Sequence, residues 1–390
     1  MSAMIIANAL LIFVLSMNAG MIWDIIGNAT EVIQGHITVS SKGYLDHPTI
    51  NSTIVQSSDV RNRILSSNEV KGVCGRVSCF ALLSHGQDEN CRTMPAEVLG
   101  IEPSEEMNIS RISRSVTEGK FISDSSAKEI VLGKGLAQNL NAAVGGEIVL
   151  MGQAADGSIA AELFRITGIF DTGDSIRDSS LAVSGRKTVQ EVFCLENRVH
   201  TWNIFLNYPL KAKPISEMLR KVFPDEEITP WQKLLPQIAE ILQFFLAIQI
   251  IAMAIFYMAV FLVSSNTMYM AFLERVREFA IMSAIGLSPR RLSILLLTEG
   301  LILSTISAFI GTSSGIIISL YIQRFPINLD MFFTTLAYCG STIQPRIVCL
   351  LTPDLIFMPF ITMILLGPVI TLFPVIKLSG VRPVDALREG

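Results

Sequence analysis

The carboxylate of Glu299 stands alone in a long apolar stretch. Residues 292–323 contain no other Asp, Glu, Lys or Arg. Glu299 follows Arg291 by eight residues, which places it about 12 Å along a helix that rises about 1.5 Å per residue. A carboxylate among apolar residues could carry a proton, bond to a neighbouring helix or reach towards the water interface. Each role would make Glu299 a functional or structural site, and the spacing alone leaves all three open.

Six further charges are crowded between two long apolar runs. Residues 272–292 read FLERVREFAIMSAIGLSPRRL. Charges of both signs in this position suit either a solvated loop that anchors two helices or a docking surface for a partner protein. The six are Glu274, Arg275, Arg277, Glu278, Arg290 and Arg291.

No other group of residues indicates catalysis, metal binding or phosphate binding. The six cysteines show no repeated CxxC spacing, and the four histidines are scattered, so no metal site is expected. The G-K-G at residues 133–135 is not a phosphate-binding loop, because GxxxxGK[ST] does not occur in the chain. We therefore expect no cofactor in this chain.

The composition indicates a membrane protein. Of the 390 residues, 50% are hydrophobic and only 16% are charged, and the mean hydropathy is +0.50. Soluble proteins rarely have so large an apolar excess. The net charge of -4 and the lack of a basic tract argue against a nucleic-acid partner.

Four stretches are long enough to cross a bilayer, which takes about 20 apolar residues. A basic start typical of a signal peptide is missing, since residues 1–23 contain no Lys or Arg, so we expect the first helix to be retained. The remaining spans are predicted at about 241–271, 290–323 and 354–376. The last contains three prolines, which imply local bends whose freed backbone groups need partners.

A soluble α+β domain is predicted between the first and second spans, at about residues 35–233. Residues 36–40 and 164–170 alternate with the period of a strand, as residues 203–208 do more loosely, whereas residues 215–223 suit a short helix. Residues 129–151 indicate strand, helix, Gly-Gly turn and strand. The fold class is thus four transmembrane α-helices with a large α+β extracytoplasmic domain inserted between helices 1 and 2. The predicted segments are 1–34, 35–233 and 234–390.

The distribution of basic residues predicts the orientation. Seven lie on one side of the spans and two on the other, which places residues 272–292 and the C-terminus in the cytoplasm and the large domain outside. An oxidising compartment would permit one disulfide among Cys74, Cys79 and Cys91. The seven are Arg275, Arg277, Arg290, Arg291, Lys377, Arg382 and Arg388, and the two are Arg324 and Arg346.

Helical periodicity predicts an amphipathic helix in residues 272–286. Five residues share one face, so the second span is expected to continue out of the membrane as an amphipathic helix. Gly286 is a natural stop, Ser288 suits an N-cap and Pro289 suits the first position of the next helix. The five are Phe272, Val276, Phe279, Ala280 and Ser283.

The third span carries a ridge of small residues at three- and four-residue steps. Such ridges let helices approach closely in membranes. The sequence predicts a packing surface here, either within one protomer or across a dimer. The ridge consists of Gly300, Ser304, Ser307, Ala308, Gly311 and Gly315.

Residues 266–311 resemble the membrane domain of the MacB, FtsX and LolC/LolE permeases, the type VII group of ABC transporters. The E-R-x-R-E of residues 274–278 and the A-x-G of residues 284–286 carry this resemblance. Residues 35–48, GHITVSSKGYLDHP, resemble the start of the extracytoplasmic domain in the lipoprotein-releasing branch, and residues 382–390, RPVDALREG, resemble the family's usual ending.

The resemblance implies a non-catalytic permease subunit in a bacterial inner membrane. Residues 272–286 would be the coupling helix that docks on a separate ABC ATPase, and the six charges would contact it. ATP and Mg would be bound by that ATPase. The remaining partners would be a second permease protomer, identical or different, and a periplasmic lipoprotein carrier or adaptor. An acidic residue in the same LLxEGL setting favours a structural role for Glu299.

The implied activity is the extraction of a lipoprotein or lipid-like amphiphile from the outer leaflet, driven by mechanical transmission. An FtsX-type signalling subunit that activates a cell-wall hydrolase and a MacB-like exporter of peptides or drugs are the alternatives. The large soluble domain favours a transporter over a signalling subunit. A membrane-anchored enzyme has no nucleophile, metal site or acid-base pair to support it.

Overall fold

The first helix, α1, spans Ser2–Thr30 and has no charged residue before Asp24. A computed structural model of the chain describes residues 1–32, 34–86, 91–107, 109–328, 336–338, 341–343 and 346–378. These residues divide into two compact units. One is a soluble unit that contains residues 24–241, and the other is a helical unit that contains residues 1–23 and most of the described residues from 242 onwards.

The soluble unit is an α+β structure built on a ten-stranded mixed sheet. Its strands are β1 Ile37–Ser40, β2 Ile54–Val55, β3 Val70–His85, β4 Arg92–Ile101, β5 Val116–Gly119, β6 Glu129–Gly133, β7 Glu147–Gln153, β8 Ile159–Phe170, β9 Leu181–Gly185, β10 Arg198–Val199, β11 Thr201–Leu206 and β12 Glu227–Pro230. Its helices are α2 Ser58–Leu65, α3 Pro103–Glu106, α4 Lys134–Leu140, α5 Ser175–Asp178, α6 Arg186–Val192, α7 Ala212–Val222 and α8 Trp231–Leu234. Strands β2 and β10 form a separate small ladder.

The strand order in the large sheet is β12-β1-β11-β3-β4-β9-β6-β8-β5. Strand β7 pairs with both β3 and β8, so β3, β4, β9, β6, β8 and β7 form a closed circuit of ladders. Most ladders are antiparallel, but β4 with β9 and β6 with β8 are parallel. One cluster of buried side chains contains Val32, which follows α1, together with Leu99, Ile112 and Phe170.

The local predictions for this unit are confirmed. Residues 129–151 form β6, α4, a turn and β7, and Gly145 in the turn has a φ of +91° that favours glycine. Residues 36–40 contain β1, and residues 215–223 lie almost entirely within α7. The buried positions of α7 include Ile215 and Leu219, four residues apart on one helix face.

The expectation of a disulfide is wrong for this structure, in which Cys74, Cys79 and Cys91 are all free. Cys74 and Cys79 are five residues apart on β3, so their side chains lie on opposite faces of the sheet. Both are buried, whereas Cys91 is exposed just before β4. Proximity in the sequence did not bring these sulfur atoms together, because the strand separates them.

The described residues from 236 onwards form four helices and two short hairpins. The helices are α9 Pro236–Glu274, α10 Val276–Ala284, α11 Pro289–Arg324 and α12 Pro353–Leu378. The hairpin strands are β13 Ile327–Asn328, β14 Leu336–Tyr338, β15 Ser341–Ile343 and β16 Arg346–Ile347. The β14–β15 hairpin and the first residues of α9 belong to the soluble unit, and the rest belong to the helical unit. Among the described residues, four helices are long and apolar enough to cross a membrane, namely α1, α9, α11 and α12, in agreement with the four predicted spans.

The expected continuation of the second span as one helix is wrong. Helix α9 ends at Glu274, and α10 begins at Val276. Between them Arg275 has φ −104° and ψ 5°, outside the helical range. The family-like ending at 382–390, which includes the orientation residues Arg382 and Arg388, lies outside the described residues.

Candidate functional site

The elbow, which we define as residues 272–292, contains the end of α9, all of α10 and the start of α11. Helix α10 ends at Ala284, and Gly286 has a φ of +105°, so the predicted stop is confirmed. Ser288 occupies the N-cap position of α11 and Pro289 its first position, although the Ser288 side chain makes no capping hydrogen bond. The end of α10 and the start of α11 therefore follow from local sequence.

A small apolar core fixes the geometry of the elbow. Phe272, Phe279, Leu292 and Leu296 are buried together. The rings of Phe272 and Phe279 stack with centroids 5.7 Å apart. Aromatic pairs at this separation add to the stabilisation from burial alone. The three helical segments thus pack on one another, and the elbow is a folded element.

All six predicted charged residues of the elbow are exposed. Within the described part of the chain, no ion pair engages Arg277, Arg290 or Arg291. These cations are therefore available to a partner protein. Arg275 differs from them because it is bonded within the elbow.

Arg275 joins α10 to α11 through Glu299. Its Nη1 donates to the two carboxylate oxygens of Glu299 at 2.9 and 3.2 Å, and its Nε donates to Glu278 at 3.2 Å. The guanidinium carbon also lies 5.8 Å from the centroid of the Phe279 ring. The bond to Glu278 and the charge of Glu299 raise the pKa of Arg275, so this residue stays charged.

Glu299 lies where its charge is matched by this arginine. Its side chain is 37% exposed and faces a cavity of about 20 Å³ that Phe272, Leu296 and Thr371 help to line. A volume of this size holds about one water molecule. Sequence reasoning proposed a bond to a neighbouring helix as one role of Glu299, but it did not identify Arg275 as the partner.

The first half of the predicted small-residue ridge packs on α12. A Cβ at Gly300 would lie 3.2 Å from the carbonyl oxygen of Gly367 and would overlap the side chain of Thr371. Ser304 donates to the carbonyl oxygen of Ile364 at 3.1 Å. The close approach of α11 and α12 thus depends on glycine at position 300.

The second half of the ridge packs on α1. A Cβ at Gly311 would lie 2.8 Å from the carbonyl oxygen of Ile5, and a Cβ at Gly315 would lie 3.0 Å from that of Ala9. Ala308, which is fully buried, accepts a hydrogen bond from Asn8 Nδ2 at 3.2 Å through its carbonyl. The ridge is therefore a packing surface within one protomer.

Two polar contacts between α1 and α11 were missed by sequence reasoning. Asn8 Nδ2 donates to Thr312 Oγ1 at 2.9 Å, and the hydroxyls of Ser16 and Ser319 lie 2.8 Å apart. Hydrogen bonds of this kind hold helices together in membranes. Asn8 and Ser16, eight residues apart on α1, lie on one helix face, which is a signal that the sequence contained.

The soluble unit exposes an apolar face on adjacent strands. Phe80 and Ile159 are 70% and 84% exposed. Leu82 is paired with Met151, and Met151 with Ala161, so these side chains share one side of the sheet. Exposed apolar patches commonly mark interaction surfaces. Among the described residues no group of three His, Cys, Asp or Glu side chains could hold a metal ion.

Two protein-family models match this chain. Residues 1–214 match the MacB-like periplasmic core domain, and residues 250–383 match the FtsX-like permease C-terminal domain. The lipoprotein-releasing system transmembrane protein LolC of Xylella fastidiosa strain 9a5c is 24% identical over 377 residues, which cover 90% of this chain and 84% of that protein.

Two further comparisons extend this result. LolC of Neisseria meningitidis serogroup B is 26% identical over 408 residues, covering 97% of this chain and 90% of that protein. The crystal structure of the periplasmic region of MacB from Actinobacillus actinomycetemcomitans is 15% identical with a TM-score of 0.39, covering 56% of this chain and 97% of that one. The chain belongs to the MacB, FtsX and LolC/LolE family of ABC transporter permeases, in its lipoprotein-releasing branch.

Proposed function

We propose that this chain is the permease subunit that couples ATP hydrolysis by a separate ATPase to the extraction of a lipoprotein or lipid-like amphiphile. The cargo leaves the outer leaflet of the inner membrane by mechanical transmission. The observation that carries the proposal is the elbow, a folded element with an aromatic core and exposed charges of both signs. A folded element with exposed charges can bind a partner protein and be displaced by it as one body.

The names of the relatives support the choice of cargo. Each matched LolC is called a transmembrane protein of a lipoprotein-releasing system, and the matches cover most of both chains. The remaining features of the proposal follow from family membership. The ATPase binds ATP and Mg, a second permease protomer completes the membrane part, and the elbow and C-terminus face the cytoplasm.

A periplasmic carrier or adaptor is the proposed partner of the soluble unit. The exposed apolar strand face that includes Phe80 and Ile159 supports a contact of this kind, because such patches mark protein interaction sites. A second candidate function, MacB-like efflux of peptides or drugs, is supported by the match of residues 1–214 to the MacB-like periplasmic core domain.

Charge reversal at the elbow tests the proposal. In the double variant Arg277→Glu with Arg291→Glu, like charges would meet the acidic groups that the two arginines contact on the ATPase. We expect the amount of co-purified ATPase to fall by about tenfold or more, which corresponds to about 1.4 kcal/mol of docking energy. Cargo release driven by ATP should fall in parallel.

Arg324→Glu is the matched control, since Arg324 is an exposed arginine at the other end of α11. Arg275 is left unchanged in both proteins, because its reversal would also break the pair with Glu299. Wild-type recovery of the ATPase with the double variant would show that the elbow only anchors the helices, and the coupling role would have to be given up.

A further inference from the structure

The end of α1 presents three polar residues to one arginine. Asp24 and Asn28 lie on the last turns of α1, and Glu31 directly follows Thr30 with its amide still bonded to the carbonyl of Gly27, so the steps of four and three residues place all three on one face. Arg111 Nε donates to Glu31 at 2.8 Å, its Nη1 donates to Asn28, and its Nη2 lies 3.9 Å from the Asp24 carboxylate. All of these residues belong to the soluble unit. One guanidinium therefore spans two turns of the helix.

The helix is shaped to receive this guanidinium. Gly27 lies between the acidic residues, and a Cβ there would be 2.6 Å from Arg111 Nη2 and 3.2 Å from Arg111 Cζ. The missing side chain lets the planar group lie against the helix backbone. The Arg111 side chain is 28% exposed and that of Glu31 is 15% exposed. This pair is thus better shielded from water than an ordinary surface ion pair.

The backbone at the helix end is held as well. The amide of Arg111 and the hydroxyl of Ser110 both donate to the carbonyl oxygen of Glu31, at 3.2 and 3.1 Å. Arg76 Nη1 donates to the carbonyl oxygen of Val32 at 3.3 Å. Carbonyls at the end of a helix lack helical partners, so these donors satisfy groups that would otherwise need water.

The Arg76 side chain is held in place by a buried ion pair with Glu106. Its Nε and Nη2 bind the Glu106 carboxylate at 2.7 and 2.8 Å, and both side chains are fully buried. Two-point pairing of an arginine with a carboxylate fixes the orientation of both groups. Val32 itself is buried beside Ile112, the residue that follows Arg111.

We propose that Arg111 is a positioning residue that locks the last turns of α1 to the soluble domain, so that displacement of this helix displaces the domain. The proposal rests on the proposed function, because only a driven helix would use such a joint. Without the lock, the chain between Glu31 and β1 would bend and absorb part of the motion. ATP hydrolysis would then continue while less cargo is released for each ATP.

Arg111→Ala and Gly27→Ala test the lock in two different ways. The first removes the guanidinium, and the second keeps it but occupies the space in which it lies. Arg114→Ala is the matched control, because Arg114 is an exposed arginine in the same short turn. Each full-length variant is purified with its co-purified ATPase and reconstituted in proteoliposomes with a fluorescently labelled triacylated lipoprotein.

The first measurement is hydrogen exchange of the amides in residues 24–36, which does not depend on transport. We expect faster exchange there in both test variants and unchanged exchange in the sheet strands, since only the helix end is released. Unchanged exchange in residues 24–36 of Arg111→Ala would overturn the proposal, because the helix end would then be held without Arg111.

The second measurement is the amount of lipoprotein released per ATP hydrolysed. We expect both test variants to assemble with the ATPase and to keep its rate within about twofold, while release per ATP falls by roughly tenfold. Wild-type release per ATP would overturn the lock, and so would failure of the variants to assemble, which would make Arg111 a folding residue. If the wild-type complex itself releases no lipoprotein, the proposed function fails instead.

Discussion

At the scale of single residues, the pairing of Glu299 with Arg275 gives the isolated carboxylate a structural explanation. The two residues are 24 positions apart and meet because the elbow folds α10 back towards α11. The sequence predicted that Glu299 would be exceptional, since charge is rare in apolar segments. It could not predict the partner, because Arg290 and Arg291 are much nearer to Glu299 in the sequence than Arg275 is, and only the folding of the elbow brings Arg275 to it.

The Glu299 pair predicts different outcomes for two substitutions. Glu299→Gln keeps hydrogen-bond acceptance from Arg275, so most transport activity should remain. Glu299→Leu leaves Arg275 without this partner, and we expect a lower melting temperature and weaker recovery of the assembled complex. Thermal unfolding in detergent and co-purification of the ATPase measure both effects. An inactive but normally assembled Gln variant would instead indicate a role that needs the negative charge.

His36, next to β1, predicts a pH dependence of the soluble unit. Its Nδ1 accepts a hydrogen bond from the amide of Leu206 at 2.8 Å, so the ring is neutral. Burial, together with the positive charge of Lys71, lowers the pKa of His36 from 6.5 to about 4. The unfolded chain therefore binds more protons between these values, and stability is lost as the pH falls from 6.5 towards 4.

We expect His36→Gln to reduce this acid-induced loss, which amounts to at most about 3 kcal/mol for a shift of this size. The glutamine keeps an acceptor for the Leu206 amide but cannot be protonated in this range. His47→Gln is the control, because His47 is exposed. The measurement is the melting temperature of the full-length protein in detergent from pH 7 to pH 4. Identical slopes for wild type and His36→Gln would contradict the assignment.

At the scale of helices, the small-residue ridge of α11 was predictable but its partners were not. The steps between Gly300 and Gly315 place these residues on one helix face regardless of what lies opposite. Whether they contact α12, α1 or a second protomer depends on the arrangement of all the helices. The structure divides the ridge, with Gly300 against α12 and Gly311 against α1. The break between α9 and α10 was missed because no Pro or Gly marks it.

Ser304 of α11 lies close to a backbone carbonyl of α12 that has lost its helical hydrogen-bond donor. Pro368 has no N–H, so the carbonyl of Ile364, four residues earlier, loses its usual helical donor. Ser304 Oγ lies 3.1 Å from this carbonyl oxygen and 3.0 Å from that of Leu301, so its single proton can be donated to Ile364 in place of the missing N–H. The prolines of the fourth span predicted freed backbone groups, and the structure identifies the donor for one of them.

A double-mutant cycle tests this compensation. Ser304→Ala should cost about 1 kcal/mol of unfolding free energy, as interhelical hydrogen bonds in membranes do. The same substitution in a Pro368→Ala background should cost much less, because the helix then satisfies its own carbonyl. Ser307→Ala is the control, since Ser307 bonds to Leu303 within α11. Equal costs of Ser304→Ala in both backgrounds would show that the two residues act independently.

At the scale of the whole molecule, the chain separates a charged sheet domain from an apolar helical unit. This division was predictable because composition changes abruptly along the chain, and the four spans followed from length and hydropathy alone. The closed circuit of strands was not predictable, since it depends on β7 pairing with both β3 and β8 across long sequence separations. Orientation across the membrane was inferred from basic residues, and the native cysteines offer a direct test of it.

Labelling of spheroplasts with a membrane-impermeant maleimide should distinguish the two faces. Cys91 and Cys194 are exposed in the soluble unit, whereas Cys74 and Cys79 are buried there. Burial raises the pKa of the Cys79 thiol to about 12, so this sulfur stays protonated and unreactive and serves as an internal control. A Cys339→Ser background removes the cysteine that lies outside the described residues. In that background, Cys91 and Cys194 should be modified in intact spheroplasts.

The elbow should behave in the opposite way. Ser288 is exposed at the N-cap of α11 and makes no capping bond, so Ser288→Cys places a thiol on the elbow at little structural cost. If the basic residues of the elbow face the cytoplasm, this thiol reacts only after the membrane is permeabilised. If the Ser288→Cys thiol reacted in intact spheroplasts and Cys194 reacted only after permeabilisation, the topology would be the opposite of the one inferred. The elbow would then lie away from the compartment that contains ATP, and no cytoplasmic ATPase could drive it.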